Sequence, residues 1–273
     1  MTHVNKMGKS DSLMGMHFDV HGDGRGPALL LVHGFLSSRA QWRPNLDALA
    51  EVCTPVTVEL LGHGRSDSPK EPDAYSVDAY VRRFDELRKV LGAERWFICG
   101  QSFGAGLTIR YSLAHPERII GQVFTNSISG LSPPARGDRD ERLERALRLE
   151  QGGRQTLEAL PFYPKPSHRL APELWQDLVR DGALISPNAV AETIHTTVPH
   201  LSVAEDLARI AVPTLLVNGT REAAFQALRD LAARDIPNLS VVDLDGGHSV
   251  NLDRAEAFNK AVTTFLSVLS GQV

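Results

Sequence analysis

Apolar residues in this chain fall into short continuous runs separated by longer amphipathic stretches. Residues 28–32, Ala-Leu-Leu-Leu-Val, lie between a Gly/Asp/Pro turn cluster and His33-Gly34-Phe35. A run this short, bounded by turns, suits a strand buried on both faces of a parallel sheet. Residues 212–218 read as another buried strand, residues 55–60, 95–99, 119–125 and 239–244 read as strands, and residues 16–21 alternate as a strand should. Between them lie helical spacings. Trp42, Leu46, Leu49 and Ala50 follow an N-cap signal at Ser37-Ser38, and Val77, Tyr80, Val81, Phe84, Leu87 and Leu91 mark a long amphipathic helix. Residues 105–114, 223–234 and 255–269 complete the set. Strand and helix alternating in this way predict βαβ units, right-handed crossovers and an α/β fold.

The rhythm stops at about residue 129 and resumes near residue 207. The interval holds helical segments around Leu143 and Leu147, 150–157, 173–179 and 189–194, broken by Pro161 and Pro164-Lys165-Pro166. Charges of alternating sign from Arg136 to Glu150 read as a solvated helix face. A helical insertion here is expected to lie over the carboxyl ends of the strands, where open α/β sheets bind ligands. The expected organisation is a mobile tail over 1–13, a core over 14–128 and 207–273, and a helical cap over 129–206.

Composition narrows the function. With 273 residues, 42% apolar content and 23% charge, the chain reads as an ordinary globular protein. A net charge of −4 gives no basic footprint for nucleic acid. Cys53 and Cys99 read as small core residues, and the ten histidines show no metal-ligand spacing. There is no run of eighteen apolar residues, and the polar first twelve residues contain no apolar signal-peptide core. The expectations are a cytoplasmic monomer or homodimer with no metal, cofactor, nucleic-acid or membrane partner, acting on a small molecule.

The chemistry centres on Gly100-Gln101-Ser102-Phe103-Gly104, a G-x-S-x-G between a predicted strand and a predicted helix. A serine on such a turn is pushed out of the chain reversal, with backbone N–H groups at a helix start beside it. Its hydroxyl is a weak nucleophile at neutral pH and needs a base within hydrogen-bond reach. His248, in Gly246-Gly247-His248 between the last strand and the last helix, is the leading candidate. His33 and His63 compete, since each follows a strand beside a glycine, although His33 is expected to order its own loop.

These motifs, with Gly62-His63-Gly64-Arg65-Ser66 and Gly219-Thr220-Arg221-Glu222, resemble the α/β-hydrolase superfamily in order and spacing over about residues 14–270. The resemblance implies a mostly parallel twisted sheet flanked by helices, with a helical cap. It implies an oxyanion hole from the backbone N–H groups of Phe35 and Phe103, and an acyl-enzyme formed on Ser102. The serine disfavours the relatives that use aspartate there, the haloalkane dehalogenases and epoxide hydrolases. An ester or thioester of a small, mainly apolar acyl group is the expected substrate. The alternatives are a lyase or carbon–carbon bond hydrolase with the same triad, or a non-catalytic receptor. His33 to Ser38 with Trp42 is similar to the menaquinone-pathway synthase branch, but Gly106 stands where that branch has an arginine for substrate carboxylates. Phe35, Phe103, Leu131, Leu160, Phe162, Tyr163 and Trp175 are candidates for the acyl pocket wall.

The imidazole needs a carboxylate on its other nitrogen. Most relatives place an aspartate a few residues past the strand at 215–218, and here Glu222 stands there. The alternative position one strand earlier reads Thr125-Asn126-Ser127 and carries no acid. Asp243 and Asp245 are nearer His248 in sequence, one in the strand itself and the other at its end, expected to turn outward.

Overall fold

The computed structural model describes residues 10–24, 26–133, 139–166 and 170–271. Their strands are β1 (Ser10–Leu13), β2 (Met16–Val20), β3 (Ala28–Val32), β4 (Thr54–Val58), β5 (Trp96–Gly100), β6 (Ile119–Thr125), β7 (Thr214–Gly219) and β8 (Leu239–Leu244). They form one sheet in the order β1-β2-β4-β3-β5-β6-β7-β8. From β4 to β8 every neighbouring pair is parallel, while β1, β2 and β4 pair antiparallel. The helices are α1 (Arg43–Ala50), α2 (Val77–Val90), α3 (Phe103–Ala114), α4 (Ile128–Leu131), α5 (Arg139–Glu158), α6 (Pro172–Gly182), α7 (Pro187–Glu192), α8 (Val198–Leu201), α9 (Ala223–Asp235), α10 (Val250–Asp253) and α11 (Ala255–Ser270).

The continuous apolar runs have a direct cause in this topology. Successive residues of a strand face opposite sides of the sheet, and both sides are covered. Leu30, Val32, Ile98, Phe124 and Leu216 join one core, with Trp96, Phe84 and Tyr111. Leu29, Leu31, Phe97, Cys99, Val123, Leu215 and Val217 join the other, with Trp42, Phe258 and Val262. Each such side chain contributes about 1.5–3 kcal/mol on burial. Cys53 and Cys99 are free and buried, and burial pushes the Cys53 thiol up to about 12.

The expected tail over 1–13 needs correction at its end: Ser10–Leu13 is strand β1, paired in register with β2 from Ser10↔Asp19 to Leu13↔Met16. Asp11 and Ser12 of this edge strand are exposed, so Ser-Asp-Ser-Leu shows no apolar run. Residues 1–9 lie outside the described set, as do Arg136 and its neighbours in the charged stretch.

Between β6 and β7 the described residues contain no strand. Their helices carry a small core of their own, with Leu149, Leu157, Ile185, Val190 and Ile194, which closes onto Leu36 in the loop after β3. Helix α6 is tied to the same loop region, because Ser38 Oγ donates to Asp181 at 2.8 Å and Arg43 pairs with Asp177. The insertion is thus fastened beside the carboxyl end of β3.

Candidate active site

Strand β5 is fully buried and ends at Gly100; helix α3 begins at Phe103. The reversal between them is achieved at Ser102, whose φ of 53° and ψ of −115° lie in a region that non-glycine residues rarely occupy. Such a conformation costs about 1–3 kcal/mol and persists only where its surroundings enforce it. The flanking glycines do so. A Cβ on Gly100 would sit 2.5 Å from Ala105 Cα, and one on Gly104 would sit 2.4 Å from Val32 O. Gly104→Ala is therefore expected to lose about 3 kcal/mol of stability by urea titration, because backbone must move. Gly106→Ala has its nearest contacts with the Leu201 side chain, at 2.6 Å, which can move more easily than backbone, and is expected to lose less.

Glu222 sits in the turn after β7, at the N-terminal boundary of α9. Its Oε1 accepts from His248 Nδ1 at 2.8 Å, and its Oε2 accepts from Asn126 Nδ2 at 2.8 Å. Burial alone pushes the Glu222 carboxyl up. The hydrogen bond and charge of His248, with the Asn126 bond, outweigh burial and hold it below the usual range. With Nδ1 engaged, Nε2 is the ring nitrogen left for proton transfer. The His248 loop is joined to the elbow, since Gln101 Nε2 donates to His248 O at 3.2 Å. Neither aspartate reaches this arrangement. Asp243 is held by Arg229 at 2.6 Å and Asn218 at 2.8 Å, and Asp245 is 73% exposed beside Arg254 and Arg221.

Ser102, His248 and Glu222 line one cavity of about 1120 Å³. Phe35 and Phe103 line it too, their rings 5.6 Å apart. Neither of their backbone N–H groups donates in the turn and loop hydrogen bonds of the described residues. Phe162, Trp175 and Leu160 also reach the cavity, and the Phe162 ring lies 6.2 Å from that of His248. Two expected wall residues do not. Leu131, at the end of α4, is fully buried in the core that holds Phe103, Leu107 and Leu201. Tyr163 packs against the insertion's own core. Composition singled out both residues, but the direction of a side chain is set by its helix or loop.

Comparison with known proteins decides the family. Residues 27–255 match the model of the alpha/beta hydrolase fold. The chain belongs to the alpha/beta hydrolase fold family. As an alpha/beta hydrolase it is 27% identical to a Bacillus subtilis protein provisionally named 2-succinyl-6-hydroxy-2,4-cyclohexadiene-1-carboxylate synthase, over 90% of this chain and 92% of that one. It is 28% identical to a Caulobacter protein provisionally named carbamate hydrolase RutD, over 95% and 98% of the two chains. Its fold is similar to that of the enol-lactonase from Burkholderia xenovorans LB400, with a TM-score of 0.81, 22% identity and coverage of 95% and 100%.

The two competing histidines, His33 and His63, are both buried and do not line the cavity. His33 is fully buried; its Nε2 accepts from Leu60 N at 3.0 Å, while Nδ1 bonds Gly34 O at 2.8 Å. Burial, with His63 nearby, pushes its pKa down to about 3, so the ring is neutral and ties the β3 and β4 loops together. His63 is buried alongside, its pKa pushed down to about 4 by burial. Asn126 is the site residue that sequence reasoning undervalued. The signal was its position, immediately after β6, where some relatives place the acid.

Proposed function

We propose that the chain is a serine hydrolase that cleaves an ester or thioester through an acyl-enzyme on Ser102. The observation that supports this best is the 2.8 Å bond between His248 Nδ1 and Glu222 Oε1 at the cavity that Ser102 lines. His248 Nε2 takes the Ser102 proton as Oγ attacks the carbonyl carbon, and Glu222 stabilises the imidazolium that forms. The tetrahedral oxyanion is held by the N–H groups of Phe35 and Phe103, each donor contributing about 3–4 kcal/mol to transition-state stabilisation. His248 returns the proton to the leaving oxygen or sulfur. Water then attacks the acyl-enzyme by the same route.

The wall formed by Phe35, Phe103, Leu149, Leu160 and Trp175 favours an apolar acyl group. The cavity is large for a small acyl chain alone, since typical ligand sites occupy about 300–1,000 Å³. Arg142, Arg145, Arg148 and Lys165 line it from the insertion. Arg145 and Arg148 already pair with Glu141 and Glu144, so Lys165 gives the clearest support for a leaving group that bears carboxylate or phosphate, as in an acyl thioester of a phosphorylated carrier. The lyase reading is weakened at Gly106, where a Cβ would already sit 2.6 Å from Leu201 Cγ. The test is a panel of p-nitrophenyl esters of graded chain length with one phosphate-bearing acyl thioester. Turnover that depends on acyl length is expected. A flat zero across the panel, with properly folded protein, would contradict the proposal.

A further inference from the structure

Backbone pairing between β6 and β7 stops at Thr125↔Val217, although β7 continues two residues further against β8, through Asn218↔Asp243 and Gly219↔Leu244. The edge of Gly219 that faces β6 is completed by a side chain. Asn126 Oδ1 accepts from Gly219 N at 2.8 Å, and Asn126 Nδ2 donates to Gly219 O at 2.9 Å. The same Nδ2 reaches Glu222 Oε2 at 2.8 Å. Gly219 in turn supports the histidine loop: a Cβ there would sit 2.0 Å from Gly247 O, one residue before His248. The neighbouring Ser127 holds the other end of the site, with Oγ donating to Ser102 O at 2.6 Å. Both Asn126 and Ser127 are fully buried.

We infer that Asn126 and Ser127 form a bracket at the fork between β6 and β7 that fixes the acid and the nucleophile in register. Asn126 is its decisive positioning residue. A glutamate side chain has one more rotatable bond than aspartate. With Oε1 directed at His248, a donor on Oε2 restricts the carboxylate plane to the orientation that the imidazole needs. Asn126 supplies that donor from a position that is itself locked to Gly219. An aspartic acid at 126 could accept from Gly219 N–H, but in its ionised form it would set a second negative charge against Glu222, disfavouring ionisation of one of them. Asparagine gives the geometry without the charge.

The inference rests on the proposed serine hydrolase reading, and one experiment separates the two. The rate of covalent labelling by a fluorophosphonate is measured for wild type, Asn126→Ala, Glu222→Gln and the double variant, each checked for folding by circular dichroism. Residues that work through one another are non-additive in such a cycle. Asn126→Ala is expected to slow labelling by roughly 30-fold and Glu222→Gln by roughly 100-fold, with the double variant within about 3-fold of Glu222→Gln. Multiplicative losses in the double variant would overturn the inference, as would an unchanged rate in folded Asn126→Ala. Should Asn126→Ala fail to fold, Asn126→Ser, which is neutral and polar but lacks the Nδ2 donor, takes its place in the same cycle. The proton on His248 Nδ1 gives a second readout by NMR. Its downfield resonance is expected to shift upfield or broaden in the Asn126 variant, and an unchanged resonance would count against the bracket. Wild type that fails to label at all would refute the hydrolase reading instead.

Discussion

Ser102→Ala is expected to lower kcat by about 10³-fold or more on any ester that the wild type turns over, while the protein stays folded. Members of a triad act as a unit, so loss of the nucleophile removes everything that His248 and Glu222 contribute. The fold should tolerate the change, because the sharp turn is enforced by Gly100 and Gly104 and not by the hydroxyl. Alanine keeps the Cβ and hence the φ of 53°, so the strain at position 102 stays in place. Steady-state kinetics on protein expressed free of wild type, with a melting curve beside it, checks both halves. Turnover within about tenfold of wild type would show that another group attacks the substrate.

Glu222→Gln is the second large effect. The substitution keeps the shape and removes the negative charge that faces His248, so kcat is expected to fall at least about 10²-fold. Asp245→Asn should change it by less than about threefold, because that carboxylate is 73% exposed and bonded to Arg254. Asp243→Asn disturbs the contacts with Arg229 and Asn218 and is expected to affect stability more than turnover. The same glutamate predicts a pH effect. Its folded pKa is depressed below the unfolded value, so its contribution to stability is present above about pH 4.3, the ordinary glutamate value. The contribution is lost as the pH falls through the lower folded pKa. Melting temperatures measured down this acid range should drop less steeply for Glu222→Gln than for wild type. A crippled Asp245→Asn beside a nearly silent Glu222→Gln would reverse the assignment.

Most of the sheet could be read from the sequence because a doubly covered parallel strand has to be apolar on both faces. Residues 28–32 and 119–125 match their strands to the residue, as does 239–244, although β8 is a partly exposed edge strand that kept enough apolar residues to be read. β1 was hidden for the opposite reason, since a polar edge strand buries little and leaves no pattern. Ser102 was legible because the turn that presents it needs glycine on both sides at fixed spacing. Glu222 could be placed because a position past β7 is set by chain order. What could not be read are contacts made across the sheet. The position of Asn126 after β6 was noticeable in the sequence, but its contact was not: only where β6 and β7 lie side by side and diverge does its amide meet Glu222. Leu131 and Tyr163 failed for a related reason: a large side chain in a helical insertion can face the core, the insertion's own interior or the cavity, and composition does not distinguish them.

The most direct test of the central claim is to find where a fluorophosphonate attaches. Phosphorus chemistry of this kind captures a serine only when a base has activated its hydroxyl, and it needs no knowledge of the natural acyl group. Intact-mass spectrometry of the wild type should show a single adduct, and peptide mapping should place it on Ser102. His248→Ala should slow its formation by roughly 10³-fold. An unlabelled wild type, or an adduct on any other residue that survives in Ser102→Ala, would contradict the account.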